Sequence, residues 1–431
     1  MTLALPIMGG MVSQNVMNLV DTAMVGSQGK AALAGVGLSS FVAFMSQAFI
    51  MGLSSGVQAM AARRLGEGRD TQTAIPLNGG LLLAVAFGLP VTLALFFVAP
   101  HLYPYLNDDA NVIAEGVPYL QARLCAITAV GMNFAFRGYF NGVNQSQIYM
   151  RSLIVMHVCN LALNYTLIFG HFGAPALGAT GAGVGTAIAT YIGTLVYIVQ
   201  SLRVARGRGF LSGLPDEATM KTMWRLSVPS GIRQVFFATG LTVLFWIVGK
   251  VGTTELAAAN VMINLMLVAY LPGLGLGMAA ASLVGQALGK GDRDDAAQWG
   301  WDVSKLGIGI LGALGLPMLL VPELLLSAFI DDAATIAVGT LPLRVVGATI
   351  AIDGVGQVLQ AAMLGAGDSR RVMVVAVSLQ WLVFLPVAYA VGPWAGYGLL
   401  GIWIAQAVYR FLQAGLFSVM WRDGKWATVE V

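Results

Sequence analysis

Apolar runs of about 20 residues or more recur along the whole chain, and that single feature leaves few folds open. A helix of about 20 apolar residues crosses the hydrocarbon of a bilayer, whereas core helices of soluble domains are shorter and alternate with charged faces. Runs of this kind fall at 3–26, 33–60, 75–99, 113–139, 148–170, 180–201, 225–249, 256–286, 300–321, 337–364, 372–391 and 397–420. Several exceed the minimum, which predicts tilted or bent helices or ones that project from the hydrocarbon. Composition agrees: 10% of the 431 residues are charged and 57% are apolar, against about 25% charged in a soluble domain. The predicted class is an all-α polytopic membrane protein with twelve spans. A net charge of +3 spread over short basic clusters gives no face for a nucleic acid. It reads instead as topology signals.

With the N-terminus inside, one set of connections holds Arg63, Arg64, Arg69, Arg203, Arg206, Arg208, Lys221, Lys290, Arg293, Arg370 and Arg371, and the other holds mainly Lys30 and Lys250. Arg422 and Lys425 fall on the same side as the first set, so both termini are expected in the cytosol. No basic n-region or small-residue cleavage pattern precedes the first span, which reads as a span rather than a signal peptide, with its abrupt start suggesting a trimmed cytosolic tail. Cys125 and Cys159 lie inside apolar runs and read as small buried side chains, without a disulfide framework.

The longest polar break, Arg203 to Lys221, separates two halves of six spans, predicting lobes at 1–201 and 222–431 joined by a cytosolic linker at 202–221. The halves repeat. Pro6 matches Pro229, Val25-Gly26 matches Val248-Gly249, Gly29 matches Gly252, and Leu33-Ala34 matches Leu256-Ala257, all 223 positions apart. The same offset pairs Leu65-Gly66-Glu67-Gly68 with Leu288-Gly289-Lys290-Gly291, and Gly142 and Ser146 with Gly365 and Ser369. Gly178 and Gly181 pair with Gly398 and Gly401 after a three-residue slip. An even number of spans per half makes the repeat parallel, related by a pseudo-two-fold axis along the membrane normal. Transporters use that arrangement to rock between two openings, and neither an enzyme nor a rigid scaffold needs it.

Two acids lie deep in spans, Asp21 in the first and Asp353 in the tenth. An intramembrane carboxylate costs roughly 2.5–3.5 kcal/mol on insertion scales and is a functional candidate by default. They are not repeat mates, since Asp21 aligns with Leu244 and Asp353 with Val130. Asn15, Asn18 and Thr22 give Asp21 polar company on its own helix. Asn160 and Asn164 are spaced i,i+4 on span five, Asn260 and Asn264 repeat that spacing on span eight, and Asp353, Gln357 and Gln360 stripe span ten. Asn133 and Thr186 are candidates on spans four and six. Interhelical hydrogen bonding is the plainer role for such amides, worth about 0.6 kcal/mol on average.

A buried carboxylate that trades a proton for Na⁺ or for a cationic substrate is a coupling device. Arg123 and Arg344, early in spans four and ten, read as snorkelling side chains, with a gate ion pair to Glu115 or Asp331 as the sharper alternative. Twenty methionines suit a permissive apolar cavity, although packing accounts for most of them. The runs Gly181–Gly185 and Gly273–Gly277 follow no strand, so helix packing explains them better than dinucleotide binding. There is no Walker A lysine motif, and His101, His157 and His171 lack ligand spacing; only His157, three residues before Asn160, is placed to touch a site.

The early Pro6 with Val20-Asp21-Thr22, the two Leu-Gly-x-Gly turns, the stretch Gly173–Gly183 and Gly365-Ala366-Gly367-Asp368 together resemble the MATE (multidrug and toxic compound extrusion) family, nearer its bacterial NorM and DinF-type members. The resemblance runs over the whole chain. It implies two six-helix lobes around an export cavity, antiport of cationic or amphipathic small molecules against H⁺ or Na⁺, no cofactor, a monomer among membrane lipids, and the bacterial inner membrane. It also implies an N-lobe cation site at Asp21, Asn133, Asn160, Asn164 and Thr186, with Na⁺ at Asp21, Asn160 and Asn164. NorM-type members carry a tenth-span acid, matching Asp353, and a seventh-span glutamate, where this chain has Phe237 with Gln234 one turn away. The expected C-lobe site is therefore Asp353, Gln357, Gln360, Asn260, Asn264 and Gln234. A lipid-linked saccharide flippase of similar fold is the alternative, expected to show a more cationic cavity and often extra spans. An intramembrane enzyme would need clustered catalytic groups, and a passive channel would not need the duplication.

Overall fold

A computed structural model describes residues 2–431, and among them there is helix and no strand. The helices are α1 (Ala4–Gly26), α2 (Lys30–Ala48), α3 (Leu53–Gly66), α4 (Ile75–Leu102), α5 (Ala110–Leu124), α6 (Ile127–Gly142), α7 (Ser146–Phe169) and α8 (Gly178–Val204). They continue with α9 (Glu217–Val251), α10 (Thr253–Gly289), α11 (Arg293–Leu320), α12 (Pro322–Ser327), α13 (Ala333–Ala366), α14 (Ser369–Ser378), α15 (Leu385–Tyr389) and α16 (Gly398–Asp423). Among the described residues, 10 helical stretches are long and apolar enough to cross a membrane. The first and fourth expected spans are outside that set. Ser13, Gln14, Asn15, Asn18 and Asp21 dilute α1, and the fourth run breaks at Cys125–Ala126 into α5 and α6.

Helix ends follow local chemistry. Asp292 accepts from Asp295 N at 2.9 Å and starts α11 seven residues before the apolar run at 300. Asp332 caps α13 by accepting from the Thr335 backbone N–H at 2.9 Å and its hydroxyl at 2.6 Å. Between α1 and α2 the chain turns at Gly29, whose φ of 117° suits a residue without Cβ. The run at 372–391 is interrupted by two π-helical turns, Leu379–Phe384 and Ala390–Trp394, flanking α15. Pro386 and Pro393 each lack the N–H that an α-helical ladder requires there. In the first π turn Gln380 and Trp381 both donate to backbone carbonyls of α9, at Phe237 O (3.4 Å) and Phe236 O (3.2 Å).

Two compact units divide the helices. One runs up to Leu65 and from Arg69 to Gly231; the other holds Gly66–Gly68 and Ile232–Val431. The boundary falls inside α9 because the chain after α8 is fastened to the first unit. Asn78 donates to Gly209 O (2.9 Å) and Gly213 O (3.2 Å) and accepts from Leu211 N (3.0 Å). Gly52, in the turn between α2 and α3, then lies so close to Ser227 O and Gly231 N that a Cβ there has no room. Glycines set equivalent contacts in each half: a Cβ on Gly142 would meet Gln58 O at 2.9 Å, and its repeat mate Gly365 abuts Ala281 O, the mate of position 58. Small residues let helix backbones approach where lipid supplies no hydrophobic drive for association. Some large apolar side chains are turned outward, Leu19, Phe97 and Leu195 being more than half exposed, while others such as Phe136, Phe140 and Trp403 are fully buried.

Candidate functional site

The first unit gathers its polar residues where α1, α7 and α8 meet. Helices α1 and α7 run parallel and stay in register, because three hydrogen bonds join residues separated by the same 143 positions. Ser146 Oγ donates to Leu3 O at 3.0 Å, the His157 Nε2 atom lies 3.2 Å from Gln14 Oε1, and Asn164 Nδ2 donates to Asp21 Oδ1 at 2.8 Å. Ser13 Oγ lies 2.6 Å from His157 Nδ1. A neutral imidazole satisfies both contacts by accepting from the serine and donating to Gln14. The Asp21 carboxylate is half-buried, toward the C-terminal end of α1, and Arg123 on α5 acts on it electrostatically.

Asn164 is fully buried and begins a chain of contacts. Its Nδ2 also faces Asn160 Oδ1 at 3.3 Å, Asn160 Nδ2 donates to Thr186 Oγ1 at 3.0 Å, and the threonine hydroxyl donates to Ala182 O at 2.8 Å. Asn164 Oδ1 is buried without a hydrogen-bond partner. It is pressed against Gly185, where a Cβ would collide with it, and Gly181 likewise abuts Leu167 O. The glycine-rich stretch of α8 therefore serves close helix packing. Gly185→Ala is expected to force the Asn164 amide off Asp21 and to cost about 1–3 kcal/mol of stability. Thermal unfolding and exchange protection of α7 amides would measure it, and an unchanged melting temperature with unchanged transport would contradict the contact.

Four of the five expected N-lobe residues are thus joined: Asp21, Asn164, Asn160 and Thr186. Asn133 on α6 is held elsewhere, donating to Thr190 O at 3.2 Å and accepting from Thr194 Oγ1 at 2.9 Å, which ties α6 to α8. Asn15 and Asn18 do not reach Asp21: Asn15 faces Met11 O at 3.5 Å and Asn18 faces Gln14 Nε2 at 3.4 Å.

The second unit has a different centre. Asp353 is 7% exposed and lies 3.7 Å from Arg410 Nε of α16. Arg410 Nη1 donates to Tyr270 OH of α10 at 2.5 Å and to Gln413 Oε1 at 3.2 Å, with the Tyr270 and Tyr409 rings 5.2 and 5.3 Å from its guanidinium. Gln413 reaches Gln360 at a marginal 3.5 Å, and Gln357 is pressed against Gly273. Gln234 sits on α9. Asn260 and Asn264 are exposed and bonded to each other, with Asn264 Nδ2 at 3.0 Å from both Asn260 O and Oδ1, and no hydrogen bond links them to Asp353.

Arg410, Arg233, Tyr270 and, in the first unit, Arg137 are polar centres that the reading of the sequence passed over. An arginine inside an apolar run is itself the signal. Arg137 stands 4.3 Å over the Phe134 ring, with its Nε 3.4 Å from Ser54 Oγ. Neither Arg123 with Glu115 nor Arg344 with Asp331 forms an ion pair among the described residues. No group of three or more His, Cys, Asp or Glu able to hold a metal occurs among them either.

A duplicated helical membrane fold with buried carboxylates and amides inside its spans defines a polytopic transporter. The MatE family model matches residues 6–166 and again 229–390, two stretches that begin at the paired prolines, and the chain belongs to this family. It is a membrane transporter and not an enzyme. It is 30% identical to a probable multidrug resistance protein NorM of Bradyrhizobium diazoefficiens, over 97% of this chain and 92% of the relative. A protein of the same description from Thermotoga maritima is 26% identical over 98% and 92% of the two chains. Among solved structures, an outward-facing multidrug resistance MATE transporter of the MOP superfamily superposes with a TM-score of 0.90 at 20% identity, covering 100% of this chain and 96% of that one. That likeness establishes the shared fold.

Proposed function

We propose that this chain is a multidrug efflux antiporter that exports amphipathic small molecules, organic cations among them, in exchange for H⁺ or Na⁺. The observation that carries this is the Asp21 carboxylate hydrogen-bonded to Asn164 at the head of the Asn164–Asn160–Thr186 chain. A lone carboxylate with amide and hydroxyl neighbours is chemically suited to take up a proton or a small hard cation, the latter through carboxylate and amide oxygens. Asn164 now turns its N–H toward Asp21 and its oxygen toward Gly185. Rotating that amide by half a turn places a second oxygen on a cation held by Asp21, whereas protonation of Asp21 needs no such rotation. The relatives' description as multidrug resistance proteins supports the substrate range, and the duplicated scaffold supports rocking of two halves in alternating access.

The same reading places the chain as a monomer in the bacterial inner membrane with both termini cytosolic. Proteoliposomes loaded under an imposed Na⁺ gradient or an imposed pH gradient, separately, test it with a fluorescent cation such as ethidium. Uphill accumulation under one gradient and its collapse on adding the matching ionophore is expected. Equilibration without accumulation under either gradient would reduce the protein to a passive path.

A further inference from the structure

Asp353 and Arg410 stand opposite each other because small residues clamp their helices. One turn beyond each of them, a Cβ on Gly356 of α13 would meet Ala414 of α16 at 3.4 Å, and on another side one on Gly354 would lie 3.0 Å from Gly307 of α11. Arg410 Nε is then 3.7 Å from Asp353 Oδ1, an oxygen with no hydrogen-bond partner. The arginine does not depend on that contact for its place. Tyr270 OH and Gln413 Oε1 accept from its Nη1, and the Tyr270 and Tyr409 rings flank its guanidinium.

The other ionisable groups leave this pair neutral. Tyr270 and Tyr409 interact electrostatically with Asp353 and are uncharged phenols at neutral pH. Arg233 of α9 acts on the two tyrosines and forms no ion pair with Asp353 among the described residues. On α11, Asp302 and Lys305 pair with each other at 2.9 Å in the open, while Gly307 is what faces α13. Helix α12 meets α13 at Gly339, and Arg371 pairs with Asp368 past its far end, each roughly 20 Å along the helix from Asp353.

We propose that Arg410 is a tethered cation that fills the cation position at Asp353, so that the second unit takes up no coupling ion. The contrast with Asp21 carries the inference. That carboxylate accepts from the Asn164 amide and forms no ion pair among the described residues, with Arg123 acting on it only from farther away. Its charge is free for a proton or for Na⁺. At Asp353 an arriving cation meets a guanidinium that four other contacts hold in place, and a guanidinium cannot shed its proton to make room. Ion exchange is left to Asp21, a consequence that rests on the coupling role proposed above.

Infrared difference spectra of the full-length protein in nanodiscs, taken between alkaline and mildly acid pH, read the C=O stretch of a protonated carboxyl. Binding of radioactive Na⁺ reads the other ion. Asp353→Asn is expected to leave both signals as they are in the wild type, whereas Asp21→Asn removes whichever one the wild type shows near neutral pH. Arg410→Gln should add a carboxyl band or a bound Na⁺ that is lost again when Asp353→Asn is combined with it, and Arg410→Lys, which keeps the charge, should add neither. The wild type and Asp353→Asn alone decide the matter if the glutamine variant does not fold. A band or a bound Na⁺ that the wild type loses with Asp353 would overturn the proposal, as would a folded Arg410→Gln protein without a new ion at Asp353. No change in Asp21→Asn, with Asp353 silent, would instead remove the coupling role from Asp21 and leave the tethered pair standing.

Discussion

Asp21→Asn is expected to abolish uphill export while leaving the protein folded and inserted. The substituted amide oxygen can still accept from Asn164 Nδ2, now at 2.8 Å from the carboxylate, so the α1–α7 register survives. What disappears is the only acid in the chain of contacts that runs through Asn164, Asn160 and Thr186. A membrane potential of 100 mV is worth about 2.3 kcal/mol per coupled charge, a concentration ratio of about 50. That ratio is what the variant should lose. Accumulation in proteoliposomes and resistance in a drug-sensitised host both read it, with surface expression as the control. Near-wild-type accumulation by the variant would remove Asp21 from the coupling step.

Arg410→Met should be the most destabilising single change in the second half, by about 3–5 kcal/mol, because it strands the buried Asp353 without its counter-charge. It also removes the donor to Tyr270 OH and to Gln413 and the cation between two tyrosine rings. Asp353→Asn alone should cost less, since Arg410 keeps those other partners. In the Arg410→Met, Asp353→Asn double variant the stranded charge is gone, and much of the loss should return. Thermal unfolding of the four proteins in one detergent measures the cycle. Strict additivity would mean that the pair 3.7 Å apart does not interact.

Ten of the twelve expected spans and the duplication were legible because hydropathy and a constant offset are properties of the linear chain. The grouping of Asp21 with Asn160, Asn164 and Thr186 came from the family resemblance, since polar residues on apolar helices do not say which helices meet. The break at Cys125–Ala126 was not foreseen, because a helix can change direction without losing its hydropathy. Nor was the mutual bonding of Asn260 and Asn264, whose i,i+4 spacing equals that of Asn160 and Asn164. Spacing marks a shared face but not what the face meets. Arg410 was not among the candidates, because only the fold brings it within 3.7 Å of Asp353.

The glycines at 142 and 365 hold the same contact in both halves, yet Asp21 and Asp353 each face an apolar residue at the corresponding place in the other copy. Scaffold and chemistry have therefore come apart since the duplication. A substitution beside Asp353 has no counterpart beside Asp21, so the two halves can change independently at these positions.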